Sequence, residues 1–187
     1  MERLRQDFAI GIRWRAFPLH PDTPEEGLSL ETLYRGMNLD PITVKARQER
    51  AAEEVGLPLG DRTMTYNSRL ATELGKWAED RGKGDAFHDA VFRTYYVGGA
   101  NIARTDVLVG IALSVGLSGQ EALEVINRRA FREAVDADWA LAGRLGISAV
   151  PTFALDGWTV VGAQPYEALA QFLTDRGVKR RLPSGGG

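Results

Sequence analysis

Residues 146–173 read GISAVPTFALDGWTVVGAQPYEALAQFL, and this stretch decides the fold. Two short apolar runs of strand-forming residues, 152–155 and 158–162, flank the dipeptide Asp156-Gly157. A type I′ turn needs positive φ at both of its central residues, which Asp-Gly accommodates, so the pattern predicts a β-hairpin. Gly146 is placed to end a preceding helix, and Pro165 is placed to begin a following one.

A further strand is predicted near the N-terminus, in segment 9–17. Over part of this segment Ile10, Ile12 and Trp14 alternate with Gly11 and Arg13. Alternation with period two, carried by β-branched and aromatic residues, is typical of a half-buried strand. The prolines that follow interrupt the pattern, so we expect the strand to end there.

Between residues 29 and 145 the sequence shows only helical signals. Asp40 followed by Pro41, for example, predicts the start of a helix that Gly56 ends. We therefore predict an α/β fold, in which strands at 9–17, 152–155 and 158–162 form the sheet and a large all-helical segment is inserted. Segments 1–27 and 146–178 would form the sheet-containing domain, 28–145 the helical domain, and 179–187 a flexible tail.

The composition is that of an ordinary globular protein, with 44% apolar residues, 26% charged residues and a formal net charge of −2. This near-neutral balance gives no electrostatic reason to expect nucleic acid or an anionic membrane as a partner. No window approaches the roughly 18 apolar residues of a membrane span. Residues 1–7 lack an apolar leader core, so we expect a cytoplasmic protein.

The chain contains no cysteine, and its two histidines, His20 and His88, lie far apart in the sequence. Without cysteine the chain has no disulfide, no thiolate nucleophile and no sulfur ligand for a metal. The separation of the histidines argues against a histidine-based zinc site. The residues therefore predict neither a thiol catalytic residue nor a metal site.

Segment 149–153 (AVPTF), the predicted hairpin and segment 162–165 (GAQP) resemble the C-terminal half of the thioredoxin-like fold. The resemblance is to the DsbA-like group, which includes FrnE-type dithiol oxidoreductases and 2-hydroxychromene-2-carboxylate isomerases. Segments 17–22 (FPLHPD) and 66–71 (YNSRLA) are similar to further stretches of that group, so nearly the whole chain is covered. The resemblance implies a thioredoxin-like frame with a helical insertion, and a cis peptide bond before Pro151.

In that group a strand that ends in a CxxC motif, with the helix after it, precedes the strand expected at 9–17. The present sequence matches only from within that helix, so we expect the first strand and the CxxC helix to be missing or truncated. The missing strand is the central one, and each backbone group orphaned by its loss costs about 1–3 kcal/mol.

Three explanations of the missing strand compete: the sequence is a fragment, the outer strands pair with each other, or a strand of another chain fills the gap. We favour the fragment, because the sequence begins within a helix that has no cap.

Since the CxxC is absent, the resemblance implies substrate-binding residues and no catalytic ones. They are expected in the loop before the hairpin, in the turn before the last helix and at the start of a helix of the insertion: Val150, Pro151, Thr152, Ala163, Gln164, Asn67 and Arg69. The loop would hold an extended substrate or the cysteinyl part of glutathione, and the turn would hold the γ-glutamyl carboxylate of glutathione. The turn is equally explained as a helix cap, and so are the residues of the insertion.

The resemblance implies a protein that acts on thiol or disulfide substrates, either proteins or small molecules, with glutathione as the one candidate cofactor. The leading hypothesis is DsbA-type thiol–disulfide exchange, in which Pro151 holds the substrate beside the dithiol. A glutathione-dependent 2-hydroxychromene-2-carboxylate isomerase and a redox-inactive, peptide-binding thioredoxin-like protein are the alternatives. Whether this cysteine-free chain is itself an enzyme stays open, and so does its oligomeric state, a homodimer included.

Overall fold

A computed structural model describes residues 1–181, which form two compact units. The first unit contains Met1–Leu19 and the chain from Asp138 onward, and the second contains His20–Ala137. The helices are α1 (Glu2–Asp7), α2 (Leu30–Gly36), α3 (Pro41–Glu54), α4 (Arg69–Asp80), α5 (Gly84–Phe92), α6 (Thr105–Ser114), α7 (Gly119–Arg128), α8 (Arg132–Arg144) and α9 (Tyr166–Asp175), with a π-helical turn at Arg93–Val97 after α5. The strands are β1 (Leu28–Ser29), β2 (Met64–Thr65), β3 (Thr152–Leu155) and β4 (Trp158–Val161).

The core of the first unit forms where α1 packs on α9. Leu4 and Phe8 come from the α1 end, and Leu169 and Leu173 are one helical turn apart on α9. Phe8 is completely buried. This packing places α9, and with it the turn that leads into α9, against a fixed apolar surface.

The predicted hairpin is confirmed, with one small change at its end. Asp156 and Gly157 have φ values of +48° and +84°, as a type I′ turn requires, and β3 and β4 pair around them in antiparallel register. The second strand ends at Val161, one residue before the predicted limit of 162. Gly162 follows with φ +91°, which turns the chain out of the ladder towards α9.

The strand predicted at 9–17 is wrong, although the helix-rich α/β class of the prediction is confirmed. Burial does alternate between Ile10 and Arg13, which explains the pattern in the sequence. Among residues 1–181, however, no strand pairs with this segment, and Phe8 forms only an isolated bridge with Arg180. Alternating burial therefore reflects one side facing the interior, and the hydrogen-bonded ladder that defines a strand is not formed.

The second unit has its core between α4, α5, α6 and α7. Leu74 of α4, Phe87 of α5, Leu108 of α6 and Ala122 of α7 are all completely buried. Within α4, the completely buried residues Leu74 and Ala78 are four positions apart, and spacing of this kind is the pattern that predicted the helical insertion. The pairing of β1 with β2 corrects the expectation of helices alone, because strands of two residues are too short to show a period in the sequence.

The end of the described chain is held in place. Ala9 donates its backbone N–H to Lys179 O at 2.9 Å, and Arg181 donates to Asp7 O at 2.8 Å. Residues 179–181 of the expected tail thus pair with the end of α1, and 182–187 lie outside the described residues. The domain boundaries expected at 27/28 and 145/146 remain a prediction beside the unit boundaries at 19/20 and 137/138. Within residues 1–181, no helix is long and apolar enough to cross a membrane.

Candidate functional site

The loop before β3 carries three of the predicted site residues. The Val150–Pro151 peptide bond is cis, and Val150 is 44% exposed although it is apolar. The hydroxyl of Thr152 donates to Ala149 O at 2.6 Å, and Gly162 donates its N–H to Pro151 O at 2.8 Å. The loop 149–152, which we call the Pro151 loop, is therefore anchored at both ends while its Val150 side chain faces solvent.

The register of the hairpin shows which backbone groups of β3 are committed to β4. Thr152 pairs with Val161, and Ala154 pairs with Thr159. The bond from Gly162 N–H to Pro151 O makes these the non-hydrogen-bonded pairs of the antiparallel ladder. Thr152 and Ala154 consequently direct their N–H and C=O groups away from β4, and among residues 1–181 no strand occupies that edge of β3.

The turn before α9 holds Ala163 and Gln164. Gln164 donates from Nε2 to Val161 O at 2.8 Å, which ties the turn to the end of β4. Pro165, the predicted first residue of the helix, is instead the N-cap residue of α9, which begins at Tyr166, and it offers no side-chain acceptor to the first turn. The pairing of Thr152 with Val161 brings this turn and the Pro151 loop to the same end of the hairpin.

Asn67 and Arg69 lie in the second unit, at the start of α4. Asn67 donates from Nδ2 to Thr23 O at 2.8 Å, and its Oδ1 accepts the backbone N–H of Arg69 at 2.9 Å. Arg69 donates from Nη2 to Asp136 at 2.7 Å and from Nε to Glu73 at 2.6 Å. Their polar groups thus hold the 20–24 loop and the first residues of α8 to the beginning of α4.

Glu73 is the centre of a charged network that the sequence analysis missed. Its carboxylate is 3% exposed and also accepts from Nε and Nη2 of Arg129, at 2.8 and 2.7 Å. Burial raises the pKa of the Glu73 carboxyl, but the hydrogen bonds and charges of Arg129 and Arg69 outweigh it, so that its pKa lies below the ordinary value. Arg129 reaches this position with a left-handed backbone conformation, φ +50°, which no pattern in the sequence predicted.

A second missed residue is Asp138, which is 2% exposed in the first unit. Its carboxylate accepts the backbone N–H of Ala16 at 2.9 Å and Nη1 of Arg15 at 2.7 Å. The bond to Ala16 thus gives one backbone N–H of this segment a side-chain acceptor, although no strand pairs with the segment among residues 1–181. The four-residue step from Val135 to Trp139 indicates the helix but not this role, because Asp138 reads as an ordinary polar position.

The arrangement can bind a backbone but holds no group for redox chemistry. The sequence has no cysteine. Within the described residues, no three His, Asp or Glu side chains are placed to hold a metal ion. The chemistry available near the Pro151 loop is therefore hydrogen bonding along β3, apolar contact at Val150 and polar contact at Gln164.

Several known proteins are similar to this chain over most of its length. Residues 1–174 match the family model described as the DSBA-like thioredoxin domain. A probable DsbA oxidoreductase from Streptomyces coelicolor is 27% identical, with a TM-score of 0.79 over 90% of this chain and 76% of that one. The cytosolic disulfide reductase DsbM from Pseudomonas aeruginosa, solved with GSH, is 26% identical, with a TM-score of 0.55 over 70% of this chain and 73% of that one.

A third similar structure is assigned as a protein disulfide isomerase from Nitrosomonas europaea. It is 18% identical, with a TM-score of 0.63 over 80% of this chain and 75% of that one, and this likeness concerns the fold alone. No curated protein matches the chain.

Proposed function

Because the chain belongs to the DSBA-like thioredoxin family, we propose that its Pro151 loop and the adjoining edge of β3 bind an extended thiol or disulfide substrate for thiol–disulfide exchange. The observation that carries the proposal is the open edge of β3. There Thr152 and Ala154 offer backbone N–H and C=O groups beside the exposed Val150 side chain. An extended peptide can add to such an edge as a further strand.

The role proposed for these residues is substrate binding. Exchange needs a thiolate that attacks a substrate disulfide; because the 187 residues contain no cysteine, that thiolate has to come from a thiol outside these residues. The neighbours assigned as oxidoreductase and disulfide reductase support thiol or disulfide compounds as the substrate class. A cytoplasmic location is part of the proposal, and it is supported by the cytosolic location of the DsbM neighbour.

A proline substitution on the open edge tests the proposal directly. Ala154→Pro removes an outward N–H, and proline is tolerated where that N–H makes no ladder bond. Thr159→Pro is the matched control, since Thr159 faces Ala154 and directs its N–H to the opposite edge of the same hairpin. The probe is an S-methylcysteine pentapeptide, with binding measured by calorimetry.

We expect the Ala154→Pro variant to bind the peptide at least ten-fold more weakly, and the Thr159→Pro variant to bind within two-fold of the unchanged chain. Equal loss in both variants would show that the hairpin as a whole, and not the β3 edge, is required. No binding of the peptide to the unchanged chain would remove the proposed function.

Glutathione is the second ligand that we propose for this site. The DsbM neighbour was solved with GSH, and the α9 N-terminus beside Gln164 has free N–H groups with no side-chain cap. Calorimetry with S-methylglutathione, on the unchanged chain and on Gln164→Ala, measures this separately from peptide binding. Peptide binding without glutathione binding would favour the redox-inactive, peptide-binding alternative over the glutathione-dependent isomerase.

A further inference from the structure

The second unit contains a pocket that takes no part in the proposed function. It has a volume of about 300 Å³ and opens between the first turn of α2, the start of α3, loop 59–63 and the π-helical turn. Tyr34, Tyr96 and Leu59 contribute apolar surface, and Lys45, Asp61 and Arg62 contribute charge. This volume is at the lower end of the range for small-molecule sites.

The pocket wall is built by a close backbone approach. In the π-helical turn, Gly98 donates its N–H to Arg93 O at 2.9 Å, the five-residue spacing that defines such a turn. Gly60 donates to Tyr96 O at 3.0 Å, and a Cβ at Gly60 would overlap the carbonyl oxygen of Val97. Only glycine allows loop 59–63 to lie this close, so the wall is formed before any ligand arrives.

Arg62 lies in this wall between aromatic rings. Its guanidinium carbon is 4.4 Å from the ring centroid of Tyr95 and 4.9 Å from that of Tyr96. Nη1 donates to Met64 O at 3.0 Å and also to the hydroxyl of Tyr95. These contacts fix the plane of the guanidinium, as the binding of a planar anion requires.

The charge of Arg62 has no counterion among residues 1–181, unlike the other pocket charges. Lys45 is paired with Asp61 at 2.6 Å, and Glu31 is paired with Arg35 at 2.6 Å. In the described part of the chain, Nε and Nη2 of Arg62 have no hydrogen-bond acceptor, and neither is among the buried unsatisfied atoms. Nε and Nη2 form one edge of the guanidinium, which matches the two oxygens of a carboxylate.

Tyr96, which lies beside Arg62, does not supply the negative charge that would balance the guanidinium. Burial raises the pKa of the Tyr96 phenol, and the smaller effect of the Arg62 charge does not reverse this, so the ring stays neutral near pH 7. The pocket therefore combines apolar surface, charges that are already paired, and one oriented cation that has no counterion among residues 1–181.

We propose that this pocket binds a small organic monocarboxylate with an apolar body. The carboxylate is held by Nε and Nη2 of Arg62, and the body packs against Tyr34, Tyr96 and Leu59. A ligand of this kind supplies the counterion that Arg62 lacks, and its apolar part covers the partly exposed ring of Tyr96. A neutral ligand of the same shape would leave the charge unmatched.

The test uses octanoate and 3-phenylpropionate as probes, with octanamide and 3-phenylpropionamide as neutral partners of the same shape. Calorimetry should show one acid bound per chain, and each amide should bind at least ten-fold more weakly than its acid. Arg62→Lys keeps the charge but removes the bidentate edge, and should weaken acid binding about ten-fold. Arg50→Gln, an exposed arginine of α3 outside the pocket, is the matched control and should change nothing.

A second variant keeps the test decisive if Arg62→Lys does not fold. Gln48 lines the pocket from an exposed position, so Gln48→Glu should fold normally and weaken acid binding by adding a negative charge to the pocket lining. The proposal is overturned if neither acid binds at millimolar concentration, if acids and amides bind equally, or if Gln48→Glu leaves affinity unchanged. Inorganic phosphate that binds as tightly as the acids would replace it with a simple anion site.

Discussion

Replacing Glu73 with glutamine should destabilise the second unit by about 2–4 kcal/mol at pH 7. The carboxylate is 3% exposed and accepts three N–H groups, from Nε of Arg69 at 2.6 Å and from Nε and Nη2 of Arg129 at 2.8 and 2.7 Å. Glutamine keeps one oxygen as an acceptor, but its amide N–H groups face guanidinium N–H groups. At least one guanidinium then loses its partner.

The magnitude follows from the environment of the two arginines. Removing one member of a buried ion pair costs about 3–5 kcal/mol, because the remaining charge stays buried without compensation. The side chain of Arg129 is 42% exposed, so water recovers part of that loss. Arg69 is 16% exposed and keeps Asp136 as a second partner. Both facts lower the expected cost to the stated range.

The same network predicts how the cost depends on pH. The folded-state pKa of Glu73 is lowered, so its contribution to the free energy of unfolding is present above the unfolded-state pKa, about 4.3. That contribution is lost as the pH falls through the folded-state value. The difference in unfolding free energy between the unchanged chain and Glu73→Gln should therefore be full at pH 7 and should narrow as the pH falls below about 4.3.

Urea unfolding followed by circular dichroism, at pH 7 and at pH 3, measures both quantities. Glu49→Gln is the matched control, because Glu49 makes an exposed pair with Lys45 at 3.9 Å and should cost less than about 0.5 kcal/mol at either pH. A Glu73→Gln cost below about 1 kcal/mol at pH 7, or a cost that does not change with pH, would refute the reasoning.

Three further predictions concern packing and local order. Gly60→Ala should lower the free energy of unfolding by about 1–3 kcal/mol, because its Cβ would overlap a carbonyl of the π-helical turn. Gly110→Ala, on an open side of α6, should raise it by about 1 kcal/mol through helix propensity. Thermal unfolding of the two variants distinguishes steric overlap from helix propensity. Leu74→Ala should cost about 2–5 kcal/mol in urea unfolding because Leu74 is completely buried, and a cost below about 1 kcal/mol would contradict its core position. Asp138→Asn should raise the hydrogen-exchange rate of the Ala16 amide several-fold by NMR, since that N–H loses a charge-assisted bond, and an unchanged rate would count against the bond.

Elements that are fixed by residues close together in the chain could be predicted from the sequence. The hairpin followed from Asp156-Gly157, whose positive φ values are a property of the dipeptide itself. Asp40 caps α3 by accepting the N–H of Thr43 at 2.9 Å, and Ser118 caps α7 by accepting that of Glu121 at 3.3 Å. In each case donor and acceptor lie within three residues, so the sequence shows both partners.

Features that depend on distant partners could not be predicted in this way. Segment 9–17 has the alternation of a strand, but the backbone N–H of Ala16 donates to Asp138, which is more than 120 residues away. Glu73 meets Arg69 at helical spacing, whereas Arg129 is 56 residues away and reaches Glu73 through a left-handed backbone. The candidate site at the Pro151 loop and the separate pocket of the second unit differ in the same way. The Pro151 loop and Gln164 come together through the hairpin register, while the pocket of the second unit joins four segments that are separate in sequence.

Two arginines of the second unit differ in what an anionic ligand would have to displace. Arg69 was predicted to face a ligand, yet Glu73 and Asp136 accept its Nε and Nη2 at 2.6 and 2.7 Å. An anion at Arg69 would have to break a bond to a buried carboxylate, at a cost of about 1.5–3 kcal/mol for each charged hydrogen bond lost. Arg62 has the same pair of donors, Nε and Nη2, and no carboxylate within residues 1–181 accepts from them. Its guanidinium plane is already fixed by contacts with Tyr95. An anion at Arg62 breaks no bond to a carboxylate of residues 1–181. In the second unit, Arg62 is therefore far better placed than Arg69 to bind an anion.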